Sequence, residues 1–400
     1  MKKIKMITML SIIMMVLSYI PVAASQDVPV QGQFKDVNKS HWAKKAIEEA
    51  VKAGYVAGYP DGTFKPEQQV SRAEFIRMLV DALKLPHIEK GSPWYQPYLA
   101  AALETYIHKT SDFKDGYNDV LTRAELVKLA VRSTDEQYRA LGVAEDKNYM
   151  VYQATEDGIL AGVGKGRLDL GGTTTRAQAV AIIERIISVN KGEKLSVDKY
   201  AVASAEILWH GTNIFTVMPQ FFNKPVNHFP GSIMGINSWS MDKLKLENKD
   251  FSGELVELIA VNLGDKDDPN RGLLPSIDKL QWGYNTINPM PKDAYVLFGR
   301  YKINYNNNTK IYHNALAFDI RGFESKDTRF KKLSKPAGLF VDDPNFKYPD
   351  KTIISVFPGS GYSFNKDQSL TIYLTTTGSA GGPADSFMTS TIVSSSVASQ

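Results

Sequence analysis

Residues 70–75 read VSRAEF, and this short stretch decides how the first half of the chain folds. Ser71 followed by Glu74 is the capping-box pattern of a helix N-terminus, in which the serine accepts from an early backbone N–H and the glutamate reaches back. Arg72 fits less well, because a helix N-terminus carries partial positive charge and unpaired N–H donors. A cation in the first helical turn therefore needs a partner outside the helix.

The motif returns as LTRAEL at 121–126 and as TTRAQA at 174–179, so that an arginine recurs about every 52 residues. An amphipathic run with helical spacing follows each copy. A second helical pattern precedes each copy, beginning near His41, Trp94 and Asn148. The sequence therefore predicts three helix-loop-helix units, each burying an apolar face by stacking on its neighbours.

Glycines mark the loops between the paired helices. The first loop is GYPDGTF (58–64), whose Asp-Gly pair is strong turn chemistry. The third is GVGKGRL (162–168), which has no preceding buried strand and no following Lys-Ser/Thr, so loop geometry explains it better than a phosphate site. The loop residues singled out are Gly58, Tyr59, Asp61 and Gly62 in the first unit and Gly162 and Gly166 in the third.

These residues resemble a known family. FKDV at 34–37, HWAKKAIEEAVKAGYVAGYPDGTF at 41–64 and the SRAE, TRAE and TRAQ motifs are similar to the S-layer homology (SLH) domain in a tandem triplet, over about residues 33–190. The resemblance implies a three-lobed helical bundle at one end of an exported Gram-positive surface protein. It also implies noncovalent attachment to the cell wall through secondary cell-wall polysaccharide that carries pyruvate ketals.

A pyruvate ketal presents a carboxylate, and free N–H groups at a helix N-terminus together with a guanidinium are suited to bind one. Arg72 is the first expected ligand contact, ahead of Arg123 and Arg176. Aromatic faces suit the apolar side of a sugar ring. The predicted polysaccharide-binding residues are Asp36, Trp42, Gly58, Tyr59, Asp61, Gly62, Arg72, Trp94, Arg123, Gly162, Gly166 and Arg176.

Structural roles compete with these assignments. Trp42 and Trp94 are equally good core anchors, Asp36 could cap the first helix or bridge to an arginine, and the arginines could form internal salt bridges. The second copy has LPHIEKGSPW in place of the FxDV segment, and Lys109 and Phe113 stand at its loop-glycine positions. One or two working pockets are therefore expected.

The N-terminus has the pattern of a secretory signal peptide: MKKIK, an apolar run to about Ile20, and PVAAS at 21–25. An uncleaved anchor is the alternative, although the apolar run is short for a membrane span. Without its three lysines, 44 basic residues of the original 47 face 43 acidic ones, which gives no argument for a nucleic-acid partner. The absence of cysteine excludes disulfides, thiolate metal sites and cysteine nucleophiles.

In the second half of the chain, apolar and polar residues alternate. A multi-domain α+β chain is therefore expected, in which an all-α three-repeat bundle is followed by a β-rich domain. A sandwich is the expected arrangement of the β-rich domain. A hairpin is predicted around the Asn306–Asn308 turn, with further strands at 254–261, 352–357 and 369–377. The predicted boundaries are a signal peptide at 1–25, repeats at 33–85, 86–138 and 139–190, a linker at 191–204, the β-rich domain at 205–385 and a Ser/Thr-rich tail at 386–400, which is flexible or forms a last edge strand.

No catalytic constellation, metal site or cofactor site is predicted. His210, His228 and His313 are isolated, and the acidic loop 265–270 suits a solvated turn better than a calcium site. The leading hypothesis is a non-enzymatic wall-anchored protein displaying a β-rich module. Its partners are pyruvylated secondary cell-wall polysaccharide and neighbours in a surface array, without a membrane span after signal cleavage. The alternative is a wall- or polysaccharide-degrading hydrolase that uses the same anchor.

Overall fold

The computed structural model describes most of the chain beyond the N-terminus, and the predicted signal peptide and His228 lie outside the described residues. The described residues are 34–88, 90–113, 116–140, 143–222, 239, 241–283, 288–325, 338–342, 345–347, 349–357, 359–360, 362–364, 370–378 and 387–395. The α-helices within them are α1 (Lys44–Ala53), α2 (Arg72–Ala82), α3 (Gln96–Glu104), α4 (Arg123–Thr134), α5 (Lys147–Glu156), α6 (Arg176–Asn190), α7 (Lys199–His210) and α8 (Ile214–Val217).

Helices α2, α4 and α6 begin at the three motif arginines, and each has a complete capping box. In each box the cap side chain accepts from the third helical N–H, and the third side chain accepts from the cap N–H, which satisfies two donors that a helix start leaves free. The cap and third residues are Ser71 and Glu74, Thr122 and Glu125, and Thr175 and Gln178.

The six helices before α7 share one core. Motif helix α2 packs on α3, α4 packs on α5, and α6 packs on α1. Each motif helix therefore contacts the first helix of the next copy, and the contact of α6 with α1 returns to the beginning. Isolated bridges between the segments that precede the motif helices, such as Ser71 to Val120 and Thr122 to Thr173, link the copies at the same places.

Helix α7 corrects the predicted linker at 191–204, since its first residues fall inside that range. Asp198 caps the helix by accepting from the N–H groups of Tyr200 and Ala201. Ala201, Val202 and Ala205 are buried in the same core as the six preceding helices. Trp209 packs on the rings of two tyrosines of α5. This apolar face makes the segment from Lys199 a helix docked on α5, within a range that was predicted to be a linker up to residue 204.

The C-terminal part is built of antiparallel sheets, in the strand orders β1-β2-β5-β9, β12-β11-β6, β4-β3-β8 and β10-β7. The first two sheets contribute side chains to one core, among them Leu258 and Leu297 from one and Phe318, Ile372 and Val393 from the other. The strands are β1 (Lys245–Glu247), β2 (Phe251–Asn262), β3 (Leu280–Gly283), β4 (Asn288–Pro289), β5 (Tyr295–Asn306), β6 (Tyr312–Arg321), β7 (Phe323–Ser325), β8 (Gly338–Val341), β9 (Thr352–Phe357), β10 (Tyr362–Phe364), β11 (Leu370–Gly378) and β12 (Thr389–Ser395).

The predicted strands at 254–261, 352–357 and 369–377 fall in β2, β9 and β11, but the predicted hairpin is wrong. Strands β5 and β6 flank the asparagine turn as expected, yet β5 pairs with β2 and β9 while β6 pairs with β11. The turn thus carries the chain from one sheet to another. Within the predicted tail, β12 forms an edge strand on β11.

Among the described residues, no helix has the length and apolar character needed to cross a membrane. The same residues contain no group of three His, Asp or Glu side chains placed to hold a metal ion. In the acidic loop, Asp265 accepts from the N–H of Asp267, and Asp268 accepts from the N–H of Asn270 and from that of Asn262 at the end of β2. That bonding is the turn chemistry expected for this segment.

Candidate functional site

Pocket A is a cavity of about 270 Å³ formed by all three copies of the repeated unit. The loop residues Gly58 and Tyr59 form one side, together with Arg77 of α2. Trp94, just before α3, Arg176, the first residue of α6, and Glu74 of α2 also line the pocket. The pocket therefore combines a loop from the first copy, a tryptophan from the second and a motif arginine from the third.

Pocket B is a cavity of about 340 Å³. It is lined by the same kinds of residue, which come from a different combination of the three copies. Gly162 and Val163 of the third loop line it together with Trp42 of the first copy and Arg123, the first residue of α4. Arg185 of α6 and Glu67 also line it. Two cavities of common design thus lie between the repeated units, each with one motif arginine and one tryptophan.

The motif arginines of both pockets donate to backbone carbonyls of the neighbouring loop. Arg176 donates from Nε to Phe64 O at 3.0 Å and from Nη2 to Ala57 O at 3.1 Å. Arg123 donates from Nε to Leu168 O at 2.9 Å and from Nη2 to Ala161 O at 2.8 Å. Neither guanidinium has an acid within ion-pair distance in the part of the chain that the structure describes, so each leaves positive charge at its pocket.

Arg72, the first expected ligand contact, lies beside two acidic side chains of the protein itself. Its Nη2 donates to Glu125 Oε1 at 2.6 Å, and its Nη1 lies 3.4 Å from Asp119 Oδ2 and donates to Gly116 O at 3.1 Å. Burial acts to raise the pKa of Glu125, but hydrogen bonds from Arg72 and from the Thr122 cap outweigh it and hold that pKa below its usual value. Arg72 therefore has its counter-charges inside the protein.

The helix N-termini also differ from the expected anion site, because their first N–H groups are not free. The N–H of Arg72 donates to Asp119 O, that of Arg123 to Gly172 O and that of Arg176 to Gln68 O. The next N–H of each helix donates to a second carbonyl of the same loop, and the third is held by the cap. A ligand carboxylate would have to be bound by side chains.

The two tryptophans are exposed, which favours the ligand-wall interpretation over the core-anchor alternative. Trp42 is 61% exposed and Trp94 is 46% exposed, although both lie at the mouth of a cavity. Large apolar rings left in solvent beside a pocket are typical of surfaces that bind a partner. Tyr59 lines pocket A and stacks under the Arg176 guanidinium, whose carbon lies 5.2 Å from the ring centroid.

Asp36 and Asp61 shape the first loop. The carboxylate of Asp36 accepts from the N–H groups of Phe64 and Lys65, both at 2.8 Å. Asp61 accepts from the N–H and hydroxyl of Thr63, which is an Asx-turn arrangement. Among the described residues, Asp36 neither caps α1 nor forms an ion pair with an arginine, and both carboxylates act on backbone geometry.

The predicted glycines are required by close packing or by backbone angle. A Cβ on Gly58 would lie 2.2 Å from the Phe34 ring, and Gly162 lies against Arg167 O while donating its N–H to Asp198. Gly62 and Gly166 have positive φ angles of 79° and 66°, a conformation that glycine adopts without strain. Gly58 and Gly162 also line the two pockets.

Arg77 and Arg185 are pocket residues that the sequence interpretation missed. Arg77 lies near Asp81, with Nε 3.6 Å from Oδ2. Arg185 donates to Ile159 O at 3.1 Å, and burial lowers its pKa. Helical periodicity could not have indicated them, because they lie five and nine residues after their motif arginines, on another side of the helix.

The second copy holds a buried ionic cluster. Arg132 is 1% exposed and binds Asp112 with both Nη atoms, at 2.6 and 2.9 Å. Its other edge binds Glu145, which also accepts from Lys109 Nζ. Burial acts to raise the pKa of Glu145, but hydrogen bonds from Arg132 and Lys109 outweigh it and lower that pKa.

Comparison with known proteins identifies the first copy: residues 33–76 match the S-layer homology domain. A cellulosome-anchoring protein of Acetivibrio thermocellus is 33% identical over 150 residues, which is 32% of this chain and 32% of that protein. The exoglucanase XynX of the same species is 29% identical over 171 residues, covering 38% of this chain and 16% of its own length. The surface-layer 125 kDa protein of Lysinibacillus sphaericus is 30% identical over 210 residues, covering 47% and 18%.

The matched part of the chain spans about a third or less of the length of these relatives. Their names are those of surface-layer and anchoring proteins and of one enzyme. The predicted family resemblance and the predicted secreted, cell-surface location are confirmed by these matches: the chain carries an S-layer homology domain at residues 33–76.

Proposed function

We propose that this protein is anchored noncovalently to the cell wall by binding pyruvylated secondary cell-wall polysaccharide in pockets A and B. The observation that carries the proposal is the shared design of the two cavities. Each has an exposed tryptophan, a loop glycine and a motif arginine without an acidic partner among the described residues. Such a set suits a sugar ring that bears a negative charge.

The proposal treats the three helix pairs as three SLH repeats, which is supported by the equivalent capping boxes and by the cyclic packing of α2, α4 and α6. Two pockets on one molecule bind a repeating polymer by avidity, because the first contact raises the effective concentration at the second. The predicted repeat boundaries stay a prediction.

The C-terminal part is proposed to be a β-sandwich that serves as the displayed module, either binding a partner or contributing to a surface array. The support is the single core shared by the sheets that contain β5 and β6. A hydrolase with its active site in this part is the second candidate, favoured by the match to a relative named as an exoglucanase. Release of reducing ends from purified wall polysaccharide by the full chain separates the candidates, and the display proposal predicts none.

The anchoring proposal is tested by sedimentation of the full chain with purified Gram-positive cell walls. Binding is expected with native walls and is expected to fall at least tenfold, on the order of 1.4 kcal/mol, after chemical removal of the pyruvate ketals. Walls stripped of all secondary polysaccharide serve as the control for adhesion to peptidoglycan. Equal binding to native and ketal-free walls would show that the pockets do not recognise the carboxylate.

A further inference from the structure

The buried cluster of the second copy shows how a carboxylate binds at one particular position of this fold. Arg132 and Arg185 follow their motif arginines at the same distance along α4 and α6, from 123 to 132 and from 176 to 185. Each donates Nη1 to the carbonyl of a buried isoleucine that precedes the loop, Arg132 to Ile107 O at 3.2 Å and Arg185 to Ile159 O at 3.1 Å. The two guanidiniums are therefore held in equivalent places.

In the second copy this place is filled from within. Glu145 accepts from Arg132 Nε at 2.9 Å and from Arg132 Nη2 at 2.6 Å, a bidentate pair. Lys109, from the loop, adds a third donor at 2.6 Å. Glu145 lies just before α5, near the position that Trp42 and Trp94 hold in front of their helices. The protein thus supplies its own carboxylate where pockets A and B are open.

In pocket B the equivalent guanidinium has no such partner among the described residues. Arg185 and Arg123 line the same cavity, where burial lowers the pKa of Arg123 and the positive charge of Arg185 lowers it as well. Asp169 acts on Arg123 in the opposite direction, and the acid in the lining is Glu67, whose side chain is 76% exposed at the rim. Two desolvated cations facing one cavity favour an anion between them.

Pocket A differs at this position. Asp81 stands in α2 where Arg132 and Arg185 stand in their helices, and it lies 3.6 Å from Arg77 and 3.5 Å from His87. The second arginine of pocket A therefore has an acid of the protein beside it. The two open pockets share the tryptophan and the motif arginine but do not share an unneutralised second cation.

We infer that Arg185, together with Arg123, binds the carboxylate of the wall ligand in pocket B in the bidentate manner in which Arg132 binds Glu145. Pocket A contributes contacts to the sugar itself, through Trp94, Tyr59 and Arg176. This inference rests on the proposed function, because the carboxylate belongs to the pyruvate ketal of the bound polymer. It adds a difference between the two pockets: two guanidinium groups face the carboxylate in pocket B, and Arg176 alone does so in pocket A.

The test uses the full chain and two small probes, a hexosamine bearing one pyruvate ketal and the methyl ester of the same ketal. By calorimetry the unaltered protein is expected to prefer the acid over the ester. Arg185→Gln is expected to lower affinity for the acid roughly tenfold and to leave affinity for the ester within about twofold, since only the charge-assisted pair is removed. Arg300→Gln, an exposed arginine on β5, is the matched control.

Arg185→Lys keeps one positive charge but loses the planar fork, so a partial loss of roughly threefold to tenfold for the acid is expected, and it replaces the glutamine variant if that one fails to fold. Undiminished preference for the acid in a folded Arg185 variant would overturn the inference. If Arg123→Gln and Arg176→Gln also bind the probes as the unaltered protein does, the anchoring proposal itself fails. Loss of binding in those two variants with no loss at Arg185 would refute only the role assigned to Arg185.

Discussion

At the scale of single residues, the arginine that opens each motif helix has two roles. In all three copies it ties its helix to the loop of the next copy by donating to backbone carbonyls. In α4 and α6 the positive charge is then left beside a cavity, while at Arg72 it is neutralised by Glu125 and Asp119. The contacts with the neighbouring loop account for an arginine at this position in every copy. The acidic residues nearby determine whether its charge remains available to a ligand.

Arg72→Gln is expected to destabilise the fold while leaving wall binding intact. Removing one member of a largely buried pair leaves Glu125 poorly compensated, which typically costs about 3 kcal/mol. The measurement is urea unfolding of the full chain. Arg300→Gln, which alters an exposed pair, is expected to change stability by less than about 0.5 kcal/mol and serves as control. A loss below about 1 kcal/mol at Arg72 would contradict the assigned role.

Asp157, at the C-terminal end of α5, gives a pH dependence. Burial, followed by the nearby charges of Glu156 and Asp135, raises the pKa of Asp157 to about 6. The folded state therefore holds this proton more tightly than the unfolded chain, and its contribution to stability is lost as pH rises through about 6.

Asp157→Asn is expected to raise stability by about 1–2 kcal/mol at pH 7.5 and to have little effect at pH 4, where the native carboxyl is already protonated. Melting temperatures at the two pH values measure the difference. Asp267→Asn, an exposed position in the β-rich part, is the control. An equal effect at both pH values would mean that the charge of Asp157 is not what matters.

At the scale of elements, Asp198 links helix α7 to pocket B. Its Oδ1 accepts from the N–H groups of Tyr200 and Ala201, which caps the helix. Its Oδ2 accepts from Gly162 N at 3.1 Å, in the loop that lines the pocket. The segment after the repeats thus helps to hold a binding loop in place, although it was expected to be a linker.

Asp198→Ala is expected to lower stability by about 1–2 kcal/mol, the usual cost of an N-cap, and to weaken binding to purified wall polysaccharide. Asp198→Asn keeps an oxygen acceptor for the cap and is expected to lose much less stability, but its amide nitrogen cannot accept from Gly162 N, so weaker wall binding is still expected. Thermal melting and calorimetry on the two variants measure the effects. Full wall binding by a destabilised alanine variant would show that the loop does not depend on this contact.

At the scale of the whole molecule, α7 belongs to both halves. Its residues Ala201, Val202 and Ala205 lie in the helical core, while Ala203 lies in the core of the sheets. Glu206 accepts from the N–H groups of Phe215 and Thr216 at the start of α8, whose residues contact β2. The anchor and the C-terminal part are therefore joined through a helix packed on both sides.

A fragment of residues 34–196 is expected to be less stable than a fragment of residues 34–211. The shorter one lacks the apolar face of α7 and the packing of Trp209 on Tyr149 and Tyr152, a loss of roughly 3 kcal/mol. Chemical unfolding of both fragments provides the comparison. Equal stability of the two fragments would mean that the packing of α7 does not stabilise the bundle, as expected of a linker.

Local signals predicted much of this fold, and contacts between distant residues account for what was missed. Capping boxes and turn glycines can be read from neighbouring residues, so the starts of α2, α4 and α6 were predictable. Whether a motif arginine meets Glu125 or a cavity depends on a loop about fifty residues away. The alternation of apolar and polar residues identified β5 and β6, but it does not determine which strands they pair with. Because the residues before Asp198 are polar, the start of α7 at the Asp198 cap was not predicted.

The central claim is tested most directly by cosedimentation of the full chain with purified native cell walls, comparing Arg123→Gln/Arg176→Gln with Arg72→Gln. The double variant removes the motif guanidinium from both pockets and is predicted to remain in the supernatant. Arg72→Gln, assayed well below its melting temperature, is predicted to sediment with the walls as the unaltered protein does. Wild-type wall binding by a folded double variant would contradict the account.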